Sequence, residues 1–367
     1  MSTSQSNPPA RESAALRSSM VLIAVILGCA ALWWLRDILT PLALAFFMVV
    51  MIDGLARGLR RRLPRLGDQA SLVIAITGSF LLVVISVLIV AENGASFVSR
   101  LLGYGPQING LIARFAALFN IDVPPTIDQL LRQFNPTRYL GTVAQGFQGF
   151  LEHAIFVLIY VGFLIASRRG FERKAVRLFP VREDRHGAVE VFTRIRDGVE
   201  SYLWIQTLTG LMIAAAGFLL MSLLGLDNAF FWAFLIFLVS YIPIIGGAVG
   251  IALPPIFALV QFPTFWQAGV LLGVMWFIHF FVGNVILPKM QGESLNIDPV
   301  VVLLSLGFWG ALWGMPGMFM STPLTVMVMV VLAQFPSSRW VAVLLSHTGN
   351  PDRLRESDEA EAAPGPT

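Results

Sequence analysis

The chain has 367 residues, of which 56% are hydrophobic and only 13% charged, with a formal net charge of +3. An average soluble domain carries about 25% charged residues, so a solvated globular core is excluded, and nothing in the near-neutral charge balance calls for nucleic acid. The apolar residues fall in runs such as 20–35, 72–91, 155–166 and 203–224, several of which approach the ~20 residues needed to cross a bilayer. The fold class that follows is an all-α polytopic membrane protein with about eight membrane segments, with the lipid bilayer as its first partner.

Residues 1–19 form a cytoplasmic segment with Arg11 and Arg17 and no cleavage pattern after it, so the apolar run that follows is a retained helix. Three transmembrane helices occupy 20–91. The first two are joined by a tight turn from Arg36 to Pro41, and the second leads into a basic loop, 57–68, carrying Arg57, Arg60, Arg61, Arg62 and Arg65. Five arginines in so short a loop place it, and with it the N-terminus, in the cytoplasm. Cys29, the single cysteine, lies in the first run, which excludes an intrachain disulfide and a cysteine metal site.

Residues 92–149 are expected outside. Ile108, Leu111, Ile112, Phe115, Leu118 and Phe119 recur there at helical spacing, which predicts an amphipathic helix. It lies on the outer membrane surface, packs against a neighbouring subunit in a homo-oligomer, or covers the section's own small core. Residues 150–225 hold helices four and five around a second basic loop, 168–200, whose arginines again mark the cytoplasm. Asp53, Glu92, Glu200 and Asp227 fall near the ends of these runs and read as boundary residues.

Residues 226–336 differ in character. The run from Phe230 to Phe262 is broken by Pro243, Gly246 and Gly247, and the run from Val300 to Phe335 by Gly314, Pro316 and Gly317. Each half is short for a span. The economical reading is two re-entrant helical hairpins of opposite orientation flanking one spanning helix; for the first hairpin, two full spans are the alternative. Paired Gly/Pro-broken segments of opposite topology point to a transporter's solute site, while turns between full spans also collect these residues. Half-helix ends at such breaks offer partial charges that hold a small polar solute or ion without a charged side chain. Glycines there equally serve close packing. Residues 337–367 form a cytoplasmic tail, polar and disordered from about 349.

Enzymatic signatures are absent. There is no phosphate-binding Gly-x-x-x-x-Gly-Lys loop and no His-Glu-x-x-His helix, and the four histidines are dispersed, so no catalysis, cofactor or metal is expected. Candidate pathway residues are therefore Pro243, Gly246, Gly247, Asn284, Pro288, Gln291, Gly314, Pro316 and Gly317. Candidates for ion coupling are His279, Lys289, Glu293 and Asp298. His279 sits inside an apolar run, either as a neutral hydrogen-bonded histidine or as a proton carrier, and Lys289 is within reach of pairing with Glu293.

Gly283, Asn284, Pro288 and Gly292, followed by Pro299, Gly307, Gly310, Gly314, Gly317 and Pro323, resemble the C-terminal signature of the autoinducer-2 exporter family, the PerM-like permeases. Tyr241-Ile242-Pro243 with Gly246, Gly247 and Pro254 is similar to its other hallmark, as is Ile38-Leu39-Thr40-Pro41 near the start. The resemblance implies a bacterial inner-membrane permease, a secondary transporter or facilitator exporting a small signal molecule. It also leaves open sodium- or proton-coupled antiport. From a different class, a non-transporting assembly scaffold is the remaining reading.

Overall fold

The computed structural model describes residues 10–65, 67–118, 154–167, 182–291 and 296–350. In chain order the helices are α1 (Ala10–Trp34), α2 (Arg36–Arg62), α3 (Asp68–Gly103), α4 (Gly105–Leu118), α5 (Ala154–Ser167), α6 (Arg182–Leu223), α7 (Ala229–Ser240), α8 (Ile245–Gln261) and α9 (Trp266–Phe281). A π-helical turn (Val282–Ile286) follows, then α10 (Leu287–Gln291), α11 (Pro299–Ala333) and α12 (Arg339–Leu345). Among the described residues the only β pairing is an isolated bridge between Ile297 and Ser346.

Against the eight segments expected, five helical stretches among the described residues are long and apolar enough to cross a membrane, and four further apolar helices there are shorter. The tail beyond residue 350, Glu293, and most of the section expected outside, 92–149, lie outside the described residues. The basic stretch 168–200 is not all loop. Its second part is the start of α6, where Glu190 and Arg194 pair one turn apart, a spacing that supports a helix over a loop. The turn before α2 is tighter than expected, with Leu35 as its corner and Pro41 taken inside the helix.

Two apolar cores are strung along α6, whose 42 residues span about 63 Å at 1.5 Å per residue. Its first half packs with α2 and α11 through Phe47, Val50, Ile195, Val199, Leu203 and Val326. Its second half packs with α7, α8 and α9 through Ile213, Met221, Trp232, Ile236, Leu271 and Met275. A smaller cluster, including Ala45, Ile52, Ala75, Val157 and Val161, joins α2, α3 and α5.

The long stretch Pro299–Ala333 is not a rod. In a straight helix, residues sixteen apart would be separated by about 24 Å, yet Trp309 Nε1 donates to Thr325 Oγ1 at 3.1 Å. The chain reverses at Gly314, whose φ of +66° and ψ of −144° suit a residue without Cβ. Pro316 then sits in the opening turn of the return arm, where its missing N–H is harmless. The arms 299–313 and 315–333 form hairpin 2, in which Gly317 is pressed against the Trp309 carbonyl and the Trp313 side chain. Its base is strapped by the tail end, Asp298 N–H donating to the Leu345 carbonyl and Asn296 bonding Thr348 and Asn350.

Hairpin 1 is α7 and α8 joined through Tyr241–Ile244. Ile244 carries a φ of +66°, and Gly246 lies so close to the Val239 carbonyl and Ser240 Cα that an added Cβ would sit 2.5 and 2.7 Å from them. The twelve residues of α7 reach about 18 Å, short of the ~30 Å hydrocarbon thickness. At the hairpin's base, Gln261 accepts from Asp227 N–H and donates to the Gly225 carbonyl, both at 2.8 Å.

Positions along α6 fix the two directions. Hairpin 1 has its base at the C-terminal end of α6 and its tip back at Gln206, which donates to the Ser240 carbonyl. The return arm of hairpin 2 runs the opposite way, with Thr322 beside the Tyr202 hydroxyl and Val326 against Gly198. The hairpins thus come in from opposite ends of α6.

Gly317→Ala is expected to lower the apparent Tm in detergent by the equivalent of about 1–3 kcal/mol, the usual cost of overpacking. Gly307→Ala, on the open face of the same segment with no neighbour within 4 Å, is expected to be neutral or to stabilise by up to ~1 kcal/mol. Equal responses at the two sites would contradict the fold-back.

Candidate functional site

The tips of the two hairpins touch. The Tyr241 ring, at the turn of hairpin 1, stacks on Phe319 of hairpin 2 with centroids 4.9 Å apart and planes 27° apart. Around this pair α6 contributes the polar side chains of its inner face. Thr207 Oγ1 shares a 2.7 Å hydrogen bond with the Tyr241 hydroxyl, and Gln206 donates to the Ser240 carbonyl. The Tyr202 hydroxyl donates to the Tyr241 carbonyl at 3.5 Å and lies beside Thr322. Tyr202 and Thr322 are buried, while Gln206, Thr207 and Tyr241 are half-buried.

This cluster sits at the seam between the two apolar cores. Its named side chains supply hydroxyls, one amide and three aromatic rings, so it can hydrogen-bond and stack on an uncharged polar solute. It offers no charge of its own to an ion.

The break residues named from the sequence fall at the two turns, and the side chains around them were not among the sequence candidates. Pro243, Gly246 and Gly247 lie at the tip of hairpin 1, and Gly314, Pro316 and Gly317 at the tip of hairpin 2. Gly246 and Gly317 act there as close-packing positions, and the Gly246 N–H is bonded to the Ile242 carbonyl. The signal that could have found the cluster is in α6, where Tyr202, Gln206, Thr207 and Thr209 crowd into the opening turns of an otherwise apolar run. Thr209 proves to be satisfied within its own helix, by the Ile205 carbonyl at 2.8 Å.

Residues 22–337 match the family described as AI-2E family transporter. The chain belongs to the AI-2E transporter family. It is 27% identical to the AI-2 transport protein TqsA of Escherichia coli K12 over 336 residues, covering 89% of this chain and 94% of TqsA. Identity to a candidate transport protein of Haemophilus influenzae is also 27%, over 90% of this chain and 96% of the relative. The PerM protein of Escherichia coli K12 is 22% identical over 87% and 93%. As an AI-2E family member the protein is a multi-pass membrane transporter.

Other motif residues of this AI-2E protein are placed apart from the tips. Asn284 lies in the π-helical turn, exposed, its Nδ2 donating to the Phe280 carbonyl at 2.9 Å. Pro288 and Lys289 are exposed on α10, which ends at Gln291. Asp298 caps α11, accepting from Val300 N–H at 2.8 Å. His279 Nδ1–H donates to the Met275 carbonyl at 2.9 Å, and its other nitrogen fills the space that a Cβ on Gly250 would occupy, 2.6 Å away. His279 is thus a wedge between α8 and α9. Among the described residues no cluster of His, Cys, Asp or Glu has metal-binding geometry. A groove of about 350 Å³ between α8 and α9, lined by Pro255, Ile256, Leu259, Phe265 and Leu272 among others, is apolar and separate from the tip cluster.

Glu200, expected to be a boundary residue, forms an ion pair with Arg57 that ties α6 to α2. Its carboxylate fits over Gly54, where a Cβ would lie 2.5 Å from Oε1. The two side chains are 30% and 19% exposed, so Arg57→Ala is expected to cost about 1–3 kcal/mol, between the values for exposed and fully buried pairs. Glu200→Gln added to Arg57→Ala is expected to recover part of that loss. A thermal-unfolding double-mutant cycle with no coupling would show the pair to be incidental.

Proposed function

We propose that this protein is a secondary transporter or facilitator that moves a small uncharged polar solute, of the kind named for TqsA, along a route between the tips of two re-entrant hairpins. The observation that carries this reading is the Tyr241–Phe319 stack, ringed by Tyr202, Gln206, Thr207 and Thr322, where chain segments from opposite ends overlap. Non-helical backbone at membrane depth is tolerated only where protein or a water-filled cavity surrounds it, and the two turns meet that condition by facing each other.

In this reading the bacterial inner membrane contains the protein with both termini in the cytoplasm. Eight segments cross or dip into the bilayer. Passage requires the solute to take over the hydrogen bonds that α6 now makes to Ser240 and Tyr241. Those bonds join neutral partners, so exchange needs no buried charge to be left uncompensated. Two of the four residues named for ion coupling have other work: His279 fills a helix interface and Asp298 caps a helix. Neutral-solute movement is therefore favoured over cation exchange.

The test is AI-2 flux through purified protein in proteoliposomes. Gln206→Ala and Tyr241→Phe are each expected to slow flux by roughly two- to tenfold, the equivalent of one hydrogen bond of about 0.5–1.5 kcal/mol. Asn284→Ala, on an exposed turn outside the cluster, is expected to leave it near the unmodified rate. Flux equal to that of protein-free vesicles would overturn the transport reading for this solute, and full flux in both tip variants would move the route elsewhere.

A further inference from the structure

Hairpin 1 is fixed at two places about 18 Å apart, the length of α7: its tip on α6 and its base at the turn after α6. The base has a third member that the route itself does not require. Tyr104, at the corner between α3 and α4, donates its O–H to Asp227 Oδ2 at 2.7 Å. Asp227 lies in the same turn whose backbone is gripped by both ends of the Gln261 amide. That turn is held in shape by left-handed residues, Gly225 at φ +73° and Asn228 at φ +55°. The start of α7 and the end of α8 are therefore joined to each other and to the α3–α4 corner at one point.

The ring of Tyr104 makes a second connection. It stands edge-on to Phe257 of α8, centroids 5.7 Å apart at 85°, and Phe257 packs against Trp232 of α7 at 5.5 Å. A chain of three rings thus runs from the corner across both arms of the hairpin. Between its ends the hairpin packs on α6 and α9 through Trp232, Ile236 and Phe257 against Met221, Leu271 and Met275, with close approaches of Gly210 to Ser240 and of Gly250 to His279. Apolar packing of this kind is non-directional, whereas the hydrogen bonds at the base are directional.

We infer that Tyr104 is a positioning residue for transport: through its hydrogen bond to Asp227 the α3–α4 corner holds hairpin 1 at the angle that brings Tyr241 onto Phe319. The inference rests on the reading of the two tips as the solute route. Its test reads hairpin position and not flux, so failure of either is recognisable without the other.

With Cys29→Ser as background, spin labels at Ile244→Cys and Met315→Cys report the separation of the two tips; both positions are exposed. The probe is the full-length protein in lipid nanodiscs without solute. Tyr104→Phe keeps the ring contact with Phe257 and removes only the hydroxyl, and it is expected to add a longer tip-to-tip population by pulsed dipolar spectroscopy. Asp227→Ala is expected to do the same from the other partner and serves if Tyr104→Phe is not recovered folded. Asp227→Asn keeps an acceptor oxygen and is expected to restore the unmodified distribution. An unchanged distribution in both Tyr104→Phe and Asp227→Ala overturns the inference, and so does a lowered Tm with the distance unchanged, since that would make the contact merely structural.

Discussion

A chain that turns back inside a bilayer must find partners for its backbone within itself, because hydrocarbon supplies none. The turns of both hairpins are enclosed by the chain's own residues, as that constraint would require of any turn at membrane depth. At hairpin 2 a glycine in the left-handed region makes the reversal and a proline opens the next helix, so the break falls where helical hydrogen bonds would in any case run out. At hairpin 1 the turn is closed by bonds from Ile245 N–H to the Pro243 carbonyl and from Gly246 N–H to the Ile242 carbonyl. The leftover carbonyls of Ser240 and Tyr241 are taken by Gln206 and Tyr202 of α6.

That arrangement explains why α6 is central. Among the described helices it is the one that contributes to both large cores, and Tyr202, Gln206 and Thr207 lie at the level where they meet. A polar stripe there serves two ends at once. It satisfies the turn of hairpin 1, and it groups hydroxyl and amide groups around an aromatic stack. Toward its C-terminus the helix packs with apolar side chains, and just before the cluster Glu200 pairs with Arg57 of α2.

How much of this was legible in the sequence differs from residue to residue. The break points were plain, because Gly314-x-Pro316-Gly317 and Pro243-x-x-Gly246-Gly247 interrupt long apolar runs and glycine and proline punctuate local structure directly. The amphipathic spacing of Ile108, Leu111 and Ile112 likewise marked α4. What could not be read was which side chains those breaks would meet. Tyr202 and Thr322 are 120 positions apart in sequence, and their proximity depends on the fold-back at Gly314 and on the register of the return arm against α6. Glu200 was similarly ambiguous: near a helix end it reads as solvated, and only the packing of α2 onto α6 brings Arg57 across to it. His279 went the other way, an isolated polar residue that invites a role in chemistry and is used as a spacer over Gly250.

The contact between Trp313 and Leu32 bears on how the molecule is assembled. Leu32 lies in the last turn of α1, where carbonyls lack partners within the helix, and the indole N–H of Trp313 reaches it at 3.1 Å. The two residues are separated by 281 positions, so during synthesis the first helix is inserted long before its cap exists. Until hairpin 2 is delivered, that carbonyl lacks its indole partner. Biogenesis of the amino-terminal pair is thereby completed only by one of the final pieces of the chain.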